Sequence, residues 1–296
     1  MPASEVLAQP LSRRLGLLLL RRGSLLAFVA ILAVFAVSAP NFLSPGNIAN
    51  VFAQSAILGI LAFGLTCVVI GGGSNVVSGG LDLSLAANLG LCAAVYSSLN
   101  NAGLQAGEAI GLTLLCGLAV GALNGFTVVV LRLPPLLATL ASMNLIAGLE
   151  LVLTHNSVLP TDSALLDTLA NGEWLQVPVL AWVLLGVALL LGLLIQHSPY
   201  GLRLYAVGEY PEAARAAGLG VARYVYSSYL IAGLCAATAA FCSSAYFSGS
   251  TTGSGELLLS VVAIAFLGVV FSRRLVANIP GTLLATLLLG FLINGF

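Results

Sequence analysis

Residues 109–131, "AIGLTLLCGLAVGALNGFTVVVL", form an apolar stretch without a single charged side chain. A helix rises about 1.5 Å per residue, so this stretch is long enough to cross the roughly 30 Å hydrocarbon core of a bilayer. The whole chain has the same character, because 59% of its 296 residues are hydrophobic, only 7% are charged, and its mean hydropathy is +1.09. Soluble domains carry roughly 25% charged residues. The composition therefore predicts an all-α membrane protein.

Nine apolar runs are candidates for membrane-spanning helices, which need about 20 mostly apolar residues each. They are Leu25–Ala39, Val51–Ile70, Leu83–Leu99, Ala109–Leu131, Pro135–Leu153, Val179–Ile195, Tyr224–Phe247, Leu257–Phe271 and Ile279–Phe296. The first run has no convincing cleavage site after it, so we interpret it as an uncleaved span. The third and eighth runs are short and are expected to be tilted, broken or re-entrant. Glycines such as those of "GLAVGALNG", residues 117–125, would let neighbouring helices approach closely.

The arginines predict the orientation, because positive charge is retained on the cytoplasmic side of a membrane. With the N-terminus inside, all ten arginines fall in loops predicted to be cytoplasmic, which are 1–24, 71–82, 132–134, 196–223 and 272–278. The predicted external loops contain acids but no arginine, and they are 40–50, 100–108, 154–178 and 248–256. We therefore predict a cytoplasmic segment, 1–24, and a single transmembrane domain, 25–296, with a cytoplasmic loop at 196–223. Nine spans end outside, so we expect a tenth, returning span in the full protein.

Composition and charge placement exclude several classes of function. The formal net charge is zero, so binding to nucleic acid has no electrostatic basis. The five cysteines are odd in number, which argues against a disulfide framework, and they are not spaced like metal ligands, so we expect no metal site. The two histidines, His155 and His197, lie at opposite faces of the predicted topology, which leaves an intramembrane hydrolase without a base beside its nucleophile. We therefore expect a protein that is not an enzyme.

Polar groups inside the predicted spans are neutral, whereas ion-coupled transporters usually carry ionisable residues in the middle of the membrane. Glu108, Glu150 and Glu256 are predicted near the outer ends of spans. A transporter of polar solutes without an ion relay needs another energy source, and ATP hydrolysed by a partner subunit is the favoured one. A stand-alone ion-coupled secondary transporter stays open as the alternative, because hydroxyls and carbonyls alone can bind sodium.

The stretch "GGGSNVVSGGLDLSLAANLG", residues 71–90, separates the second and third predicted spans. Its glycines favour a break in the preceding helix, and Asp82 or Ser84 is then placed to cap the next helix by accepting hydrogen bonds from free N–H groups. This helix start is either an ordinary capped helix or part of a translocation gate. The asparagines of the spans are likewise either path residues or interhelical hydrogen-bond partners. The candidate path or gate residues are Gly79, Gly80, Asp82, Ser84, Asn88, Asn124 and Asn144.

A second charged stretch, "SPYGLRLYAVGEYPEAARAAGLGVARY", residues 198–224, lies in a predicted cytoplasmic loop. Pro211 suits the first position of a helix, and Glu212 and Arg215 are spaced to pair on one face. Gly218 suits a left-handed helix end. The stretch predicts a helix of about two turns, roughly 10 Å long, with side chains small enough to enter a groove. It is either a solvated loop helix or a docking element for a cytoplasmic partner.

Both stretches resemble the ribose-type permeases, the membrane subunits of sugar-importing ABC transporters. "GGLDLSLAAN" is similar to the family motif G-G-I-D-L-S-V-G-S, with leucine in place of isoleucine and alanine at 86–87 where glycine is usual. "YGLRLYAVGEYPEAARAAGLGV" is similar to the family's coupling segment, with Glu209 and Tyr210 where a Gly-Asn pair is common. "SRRL", residues 272–275, stands in the place of a glycine-rich turn. The likeness extends from about Asn41 onward, and the G-G-x-D-L-S string favours the sugar-importing branch over the branched-chain amino-acid permeases.

The resemblance implies a multi-pass permease subunit of the bacterial inner membrane that imports a sugar or a sugar-like solute. Its implied partners are a cytoplasmic ABC ATPase, a periplasmic solute-binding protein, a second permease in a homodimer or heterodimer, and the lipid bilayer. ATP would be used by the ATPase, and this chain would bind no cofactor itself. The resemblance also implies that the helix of the second stretch is a coupling helix, which sits in a cleft of the ATPase. The implied ATPase-coupling residues are Gly208, Glu209, Pro211, Glu212, Ala213, Ala214, Arg215 and Gly218.

Overall fold

The computed structural model describes residues 11–39, 41–73, 79–251, 253–272 and 274–295. Helices dominate these residues, as the composition predicts. In chain order they are α1 (Leu11–Ser38), α2 (Pro45–Gln54), α3 (Ala56–Gly72), α4 (Leu85–Asn101), α5 (Ala106–Val129), α6 (Pro135–Thr154), α7 (Ala164–Asn171), α8 (Val179–Gln196), α9 (Pro199–Glu209), α10 (Pro211–Ala216), α11 (Val221–Phe247), α12 (Leu257–Val270) and α13 (Ile279–Gly295), with a short 3-10 helix at Ser254–Glu256 before α12.

Within the described residues, four helices are long and apolar enough to cross a bilayer, namely α5, α6, α8 and α11. α2 and α3 together would make a fifth span, bent by 51°. The predicted run Val51–Ile70 lies within this bent pair, but the helical segment starts earlier, at Pro45, and changes direction at Ser55, which packs against Gly290 of α13. Shorter apolar helices cover Leu25–Ser38, Ser254–Val270 and Ile279–Gly295. The larger number of nine spans stays a prediction.

The first helix is longer than the predicted span. α1 begins at Leu11, so it runs through much of the segment 1–24 that the sequence analysis separates from the first span. The sequence from 11 to 38 contains no proline and is rich in leucine, which accounts for the earlier start. Residues 1–10 of the predicted segment lie outside the described residues, as does Phe296 of the ninth predicted span.

α3 lies at the centre of the bundle, and almost all of its side chains are buried. It packs against α8, α9, α11, α12 and α13, and α11 packs in turn against α4 and α5. This burial follows from the sequence, because a helix that is apolar on all sides belongs in a protein core or a membrane. Glycines let α5 and α11 approach closely, since a methyl group added at Gly117 would lie 2.6 Å from the carbonyl oxygen of Gly233. The predicted role of the glycines in "GLAVGALNG" is confirmed at this contact.

The predicted external loop 154–178 contains regular structure. Its helix α7 begins after Ser163, whose hydroxyl accepts a backbone N–H of the first turn at 3.2 Å. A short antiparallel hairpin follows, formed by β1 (Glu173–Trp174) and β2 (Val177–Pro178). This hairpin is the one sheet in the described part of the chain. It departs from the predicted all-α fold at the periphery and leaves the helical bundle unchanged.

Candidate functional site

The first candidate site is the break between α3 and α4, where the chain passes through the "GGLDLS" string. Residues 79–82 are buried, although the sequence analysis assigns 71–82 to a cytoplasmic loop. Gly80 lies against the end of α3, where an added methyl group would collide with the carbonyl oxygen of Val68. A methyl group added at Gly72 would likewise collide with the backbone of Gly80. Backbone contact therefore requires glycine at both positions, and the string folds into the protein interior.

Asp82 is the centre of a buried hydrogen-bond network. The residue is 1% exposed, and its Oδ1 accepts the Ser84 N–H at 3.0 Å and the Ser84 hydroxyl at 2.7 Å. The side-chain amide of Asn124 on α5 lies 3.3 and 3.4 Å from the two carboxylate oxygens and 2.6 Å from the Ser84 hydroxyl oxygen, as a donor to each. These donors offset the cost of burying a carboxylate.

The network extends to α6 through two hydroxyl side chains. Ser142 donates its hydroxyl to the amide oxygen of Asn124 at 2.6 Å. Thr139 accepts the N–H of Leu83 at 3.1 Å and donates to a carbonyl of its own helix at 2.8 Å. All of these polar side chains are buried. We call this set the Asp82 network; it joins the start of α4 to α5 and α6. Its members are Asp82, Ser84, Asn124, Thr139 and Ser142.

The predicted helix caps at Asp82 and Ser84 are wrong in detail. Ser84 directly precedes α4, but its hydroxyl donates to Asp82 and accepts no N–H from the first turn. Asp82 accepts the N–H of Ser84, which lies just before the helix. Asn124 comes from a distant part of the sequence and completes this arrangement. A long-range contact therefore replaces the local cap that residue types alone would favour.

The other two candidate asparagines lie outside the Asp82 network. Asn88 is buried and donates to the carbonyl oxygen of Gly117 at 3.4 Å, so it bridges α4 and α5. Asn144 is exposed on α6, and its amide donates to Leu140 of the same helix at 2.8 Å. Gly79, by contrast, is buried directly before Gly80. The structure thus brings together Gly79, Gly80, Asp82, Ser84 and Asn124, and it leaves Asn88 and Asn144 apart.

Three residues of this region are not among the candidate path residues predicted from the sequence: Thr139, Ser142 and Tyr229. Thr139 and Ser142 are three residues apart and share one face of α6, which is a spacing that the sequence does contain. Tyr229 of α11 is fully buried, with its hydroxyl 3.5 Å from the carbonyl oxygen of Leu81. Nothing in the sequence around Tyr229 indicates this contact, because its partner lies on another element.

Two acids are buried in the bundle, which corrects the expectation that the polar groups inside it are neutral. Asp82 is one of them. The other is Glu150 on α6, which is 4% exposed and lies with Ser254 against Gly90 of α4. One carboxylate oxygen of Glu150 has no hydrogen-bond partner among the described residues. The argument against an ion-coupled transporter, which rested on neutral polar groups in the spans, therefore does not hold. An experiment must separate that alternative from an ATP-driven importer.

The second candidate site is the loop between α8 and α11, which folds into α9 and α10. α10 begins at Pro211, and Arg215 pairs with Glu212 at 2.9 Å. Gly218 follows the helix with φ of +80° and donates its N–H to the carbonyl of Arg215 at 3.0 Å. The predicted proline start, ion pair and left-handed glycine end are confirmed. The helix has six residues, slightly fewer than two turns.

α10 presents most of its surface to its surroundings. Pro211, Glu212, Ala213 and Arg215 are exposed, whereas Ala214 is 4% exposed and faces the protein. An exposed ion pair contributes less than about 1 kcal/mol, so the proline start and the glycine end decide the shape of this helix. The short side chains leave its backbone accessible, as a docking element requires.

Gly208 and Glu209 form the end of α9 and do not belong to α10. Gly208 packs on the end of α3, where an added methyl group would collide with the carbonyl oxygen of Ile70. Gly73, with φ of +85°, is equally close, since a methyl group there would lie 2.5 Å from the oxygen of Gly208. Glu209 is exposed. α9 therefore touches α3 through main-chain atoms.

Two tyrosines fix α9 to other helices. The Tyr205 hydroxyl donates to the carbonyl oxygen of Ala277, before α13, at 2.7 Å. The Tyr200 hydroxyl lies 2.7 Å from the Ser227 hydroxyl on α11. Burial raises the pKa of both phenols, so each stays protonated at physiological pH. α9 is thereby tied to α3, α11 and the start of α13.

The two candidate sites meet on one turn of α3. Gly80 of the first site contacts the carbonyl of Val68, and Gly208 of the second contacts the carbonyl of Ile70. Both carbonyls belong to the last turn and a half of α3, which ends at Gly72. We call Val68, Ile70, Gly80 and Gly208 the α3 junction. α9 and the break that precedes the Asp82 network therefore contact the same backbone segment of α3.

Comparison with known proteins identifies the chain's relatives. The family model described as "Branched-chain amino acid transport system / permease component" matches residues 47–296. The ribose import permease protein RbsC of Escherichia coli (strain K12) is 30% identical over 283 residues, covering 94% of this chain and 86% of that protein. RbsC of Bacillus subtilis (strain 168) is 32% identical over 277 residues, covering 92% of this chain and 84% of that protein.

The autoinducer 2 import system permease protein LsrC of Klebsiella pneumoniae subsp. pneumoniae is 32% identical over 255 residues, covering 84% of this chain and 72% of that protein. No solved structure matches the chain. The family match includes both candidate sites and the helices that join them. The chain therefore belongs to the family of transport-system permease components.

Proposed function

We propose that this protein is the membrane permease subunit of an ABC importer for a sugar or a sugar-like solute. The main structural support for this proposal is the α3 junction. There, the loop that would bind an ATPase and the buried break before α4 both contact the end of α3. The relatives named as ribose and autoinducer 2 import permeases support a sugar-like solute. ATP is hydrolysed by a separate partner subunit, and this chain performs no catalysis.

In the proposed mechanism, ATPase subunits close on ATP and move α10, and α9 follows because only Tyr210 separates the two helices. α9 then displaces the end of α3 through Gly208 and the start of α13 through Tyr205. The shift of α3 moves Gly80 and the Asp82 network, so that the bundle switches between outward-facing and inward-facing states. Such a switch requires contacts that differ in free energy between the two states, and the ATPase contacts on α10 supply that difference.

The candidate path residues take different parts in this proposal. The buried group around Asp82 acts as a gate, because it joins three helices and leaves no exposed surface for solute. Asn88 lies outside the gate and acts as a packing residue between α4 and α5. Asn144 faces outward on a membrane-spanning helix, where an amide needs a polar neighbour. A second permease, in a homodimer or a heterodimer, would provide that neighbour and enclose the path.

We further propose nine spans in the bacterial inner membrane, with the N-terminus in the cytoplasm and residues 25–296 as one transmembrane domain. All ten arginines lie in the segments that this topology assigns to the cytoplasmic side, which supports the orientation. A periplasmic binding protein would then deliver the solute to the face that carries α7, and the ATPase would act on the face that carries α10.

Ala213→Cys tests the orientation, because Ala213 is exposed on α10. We expect no labelling of intact cells by a membrane-impermeant maleimide and full labelling after permeabilisation. The wild-type chain is the control, since four of its five cysteines are buried and Cys116 is half-buried. Labelling of the introduced thiol from outside intact cells would overturn the proposed topology.

Exchanging the charges of α10, by Glu212→Arg together with Arg215→Glu, tests the coupling helix. The exchange keeps an ion pair within the helix but reverses the charge pattern that a partner meets. We expect at least about tenfold weaker binding of the ATPase subunit and a matching loss of ATP-driven uptake. The melting temperature should stay unchanged, because an exposed pair contributes less than about 1 kcal/mol.

Arg223→Glu is the matched control for the charge exchange. Arg223 is exposed on the first turn of α11, beyond Gly218 and outside α10. We expect it to bind the ATPase subunit as wild type does. Normal ATPase binding by the exchanged variant would contradict the assignment of α10 as the coupling helix.

Reconstitution separates the proposed importer from an ion-coupled transporter, which the buried acids Asp82 and Glu150 make the relevant alternative. Vesicles that contain the permease, its ATPase and its binding protein are expected to take up solute with ATP, with D-ribose as the first probe. Vesicles that contain the permease alone are expected to take up nothing under an imposed proton or sodium gradient. Uptake in the second preparation would favour the alternative.

A further inference from the structure

A groove of about 680 Å³ lies beside α10, between α9 and the turn that joins α12 to α13. One wall contains Tyr205, Glu209 and Tyr210, and the other contains Arg274 and Asn278. The Tyr205 hydroxyl of one wall donates to the carbonyl oxygen of Ala277, which lies between Val276 and Asn278 of the other wall. This hydrogen bond joins the two walls.

The two walls carry opposite charges that are free to meet a partner. Glu209 and Arg274 are both exposed. Among the residues that the structure describes, the ion pair within 4.0 Å is that of Arg215 with Glu212, so Glu209 and Arg274 are not paired with each other. A segment seated in the groove would meet an acid on one side and a guanidinium on the other.

The rim of the groove exposes large apolar side chains. Leu202 and Tyr210 both line the groove, and each is 69% exposed. Both belong to the segment 196–223, which the proposed topology places in water. Apolar side chains clustered in water mark a surface that contacts another protein.

α10 alone is too small to hold a stable partner. It has six residues and is about 9 Å long, whereas a stable interface buries about 800 Å² on each partner. Glu209 and Tyr210 directly precede α10 and also line the groove. A protein seated on α10 therefore extends over the groove without a gap in the contact surface.

We propose that this groove is a second docking site for the ATPase subunit, beside the one on α10. The inference rests on the proposed function. The bound segment of the ATPase carries a basic side chain opposite Glu209 and an acidic side chain opposite Arg274, with an apolar contact at Tyr210. The two docking sites together decide which ATPase this permease accepts, because a partner must match the charges of both.

The test uses purified permease in nanodiscs and the ATPase subunit that co-purifies with it, identified by mass spectrometry through its nucleotide-binding motif. We expect Glu209→Lys and Arg274→Glu each to weaken binding about tenfold. High salt should reduce both effects, since exposed charges are screened. Arg223→Glu is the control and should bind as wild type. All three positions are exposed, so the melting temperatures should be unchanged.

The double variant Glu209→Arg with Arg274→Glu shows whether the two residues contact the ATPase or only each other. If both residues contact the ATPase, the double variant binds more weakly than either single variant. If the double variant restores binding, the two residues act only on each other, and the inference is overturned. If Arg223→Glu weakened ATPase binding equally, the inference would also be overturned. The loss would then come from the net charge of the permease and not from the groove.

The outcomes separate this inference from the proposed function. Wild-type binding by Glu209→Lys and Arg274→Glu, together with lost binding in the charge-exchanged α10 variant, overturns the second docking site and leaves the coupling helix intact. Failure of the wild-type permease to bind any ATP-binding subunit overturns both.

Discussion

Gly208→Ala is expected to abolish ATP-driven uptake while leaving the protein inserted in the membrane. The added methyl group would collide with the carbonyl oxygen of Ile70, so α9 must move away from α3. Extra atoms in a close-packed contact cost about 1–3 kcal/mol, and here the displaced helix is the proposed link between ATPase and gate. We expect a loss of uptake of at least about tenfold with ATPase binding retained, measured in reconstituted vesicles and by co-purification.

Gly148→Ala is the matched control for Gly208→Ala. Gly148 lies in helix α6, and an added methyl group would meet nothing within 4 Å. Alanine favours a helix more than glycine does, so uptake and stability are expected to match or slightly exceed those of the wild type. If Gly208→Ala transports as well as Gly148→Ala, the contact between α9 and α3 has no part in the mechanism.

Asp82→Ala is expected to destabilise the protein strongly and to remove transport. The change leaves the Ser84 N–H, the Ser84 hydroxyl and the Asn124 amide without their shared acceptor in the interior. An unsatisfied buried donor costs about 1–3 kcal/mol, and more than one is affected. We expect a loss of about 3 kcal/mol or more in the free energy of unfolding, measured as a lower melting temperature in detergent by size-exclusion chromatography after heating.

Two comparison variants show whether that loss comes from the network. Asp82→Asn keeps an acceptor oxygen in place and should fall between wild type and Asp82→Ala. Thr168→Ala removes an exposed hydroxyl of α7 that bonds only within its own helix, so its melting temperature should stay close to that of the wild type. Equal melting temperatures for Asp82→Ala and Thr168→Ala would show that the buried hydrogen bonds do not stabilise the fold.

The features that the sequence predicted well are those with local causes. α10 begins at Pro211 and is terminated by Gly218 because each residue favours its conformation without help from the rest of the chain. The apolar character of α5, α6, α8 and α11 is likewise a property of each run taken alone. The candidate grouping of Asp82 with Ser84 and Asn124 was found because these are polar residues in or beside apolar runs.

The features that the sequence failed to predict depend on contacts between distant residues. The bend at Ser55 places this residue against Gly290, which is more than two hundred positions away. Ser142 and Tyr229 joined the site only when α6 and α11 packed around the break. The burial of Asp82 and Glu150 follows from the same packing, because a neutral-looking run gives no sign of the helices that will cover it.

The contacts of the α3 junction are made by the backbone carbonyl groups of Val68 and Ile70 and by two glycines, so adding a side chain at either glycine disturbs them. In the proposed function, the contacts that transmit the movement of the ATPase are therefore separate from the residues that select the solute. Residues along the path can therefore change to admit a new solute without altering the main-chain contacts that join the ATPase-binding loop to the gate.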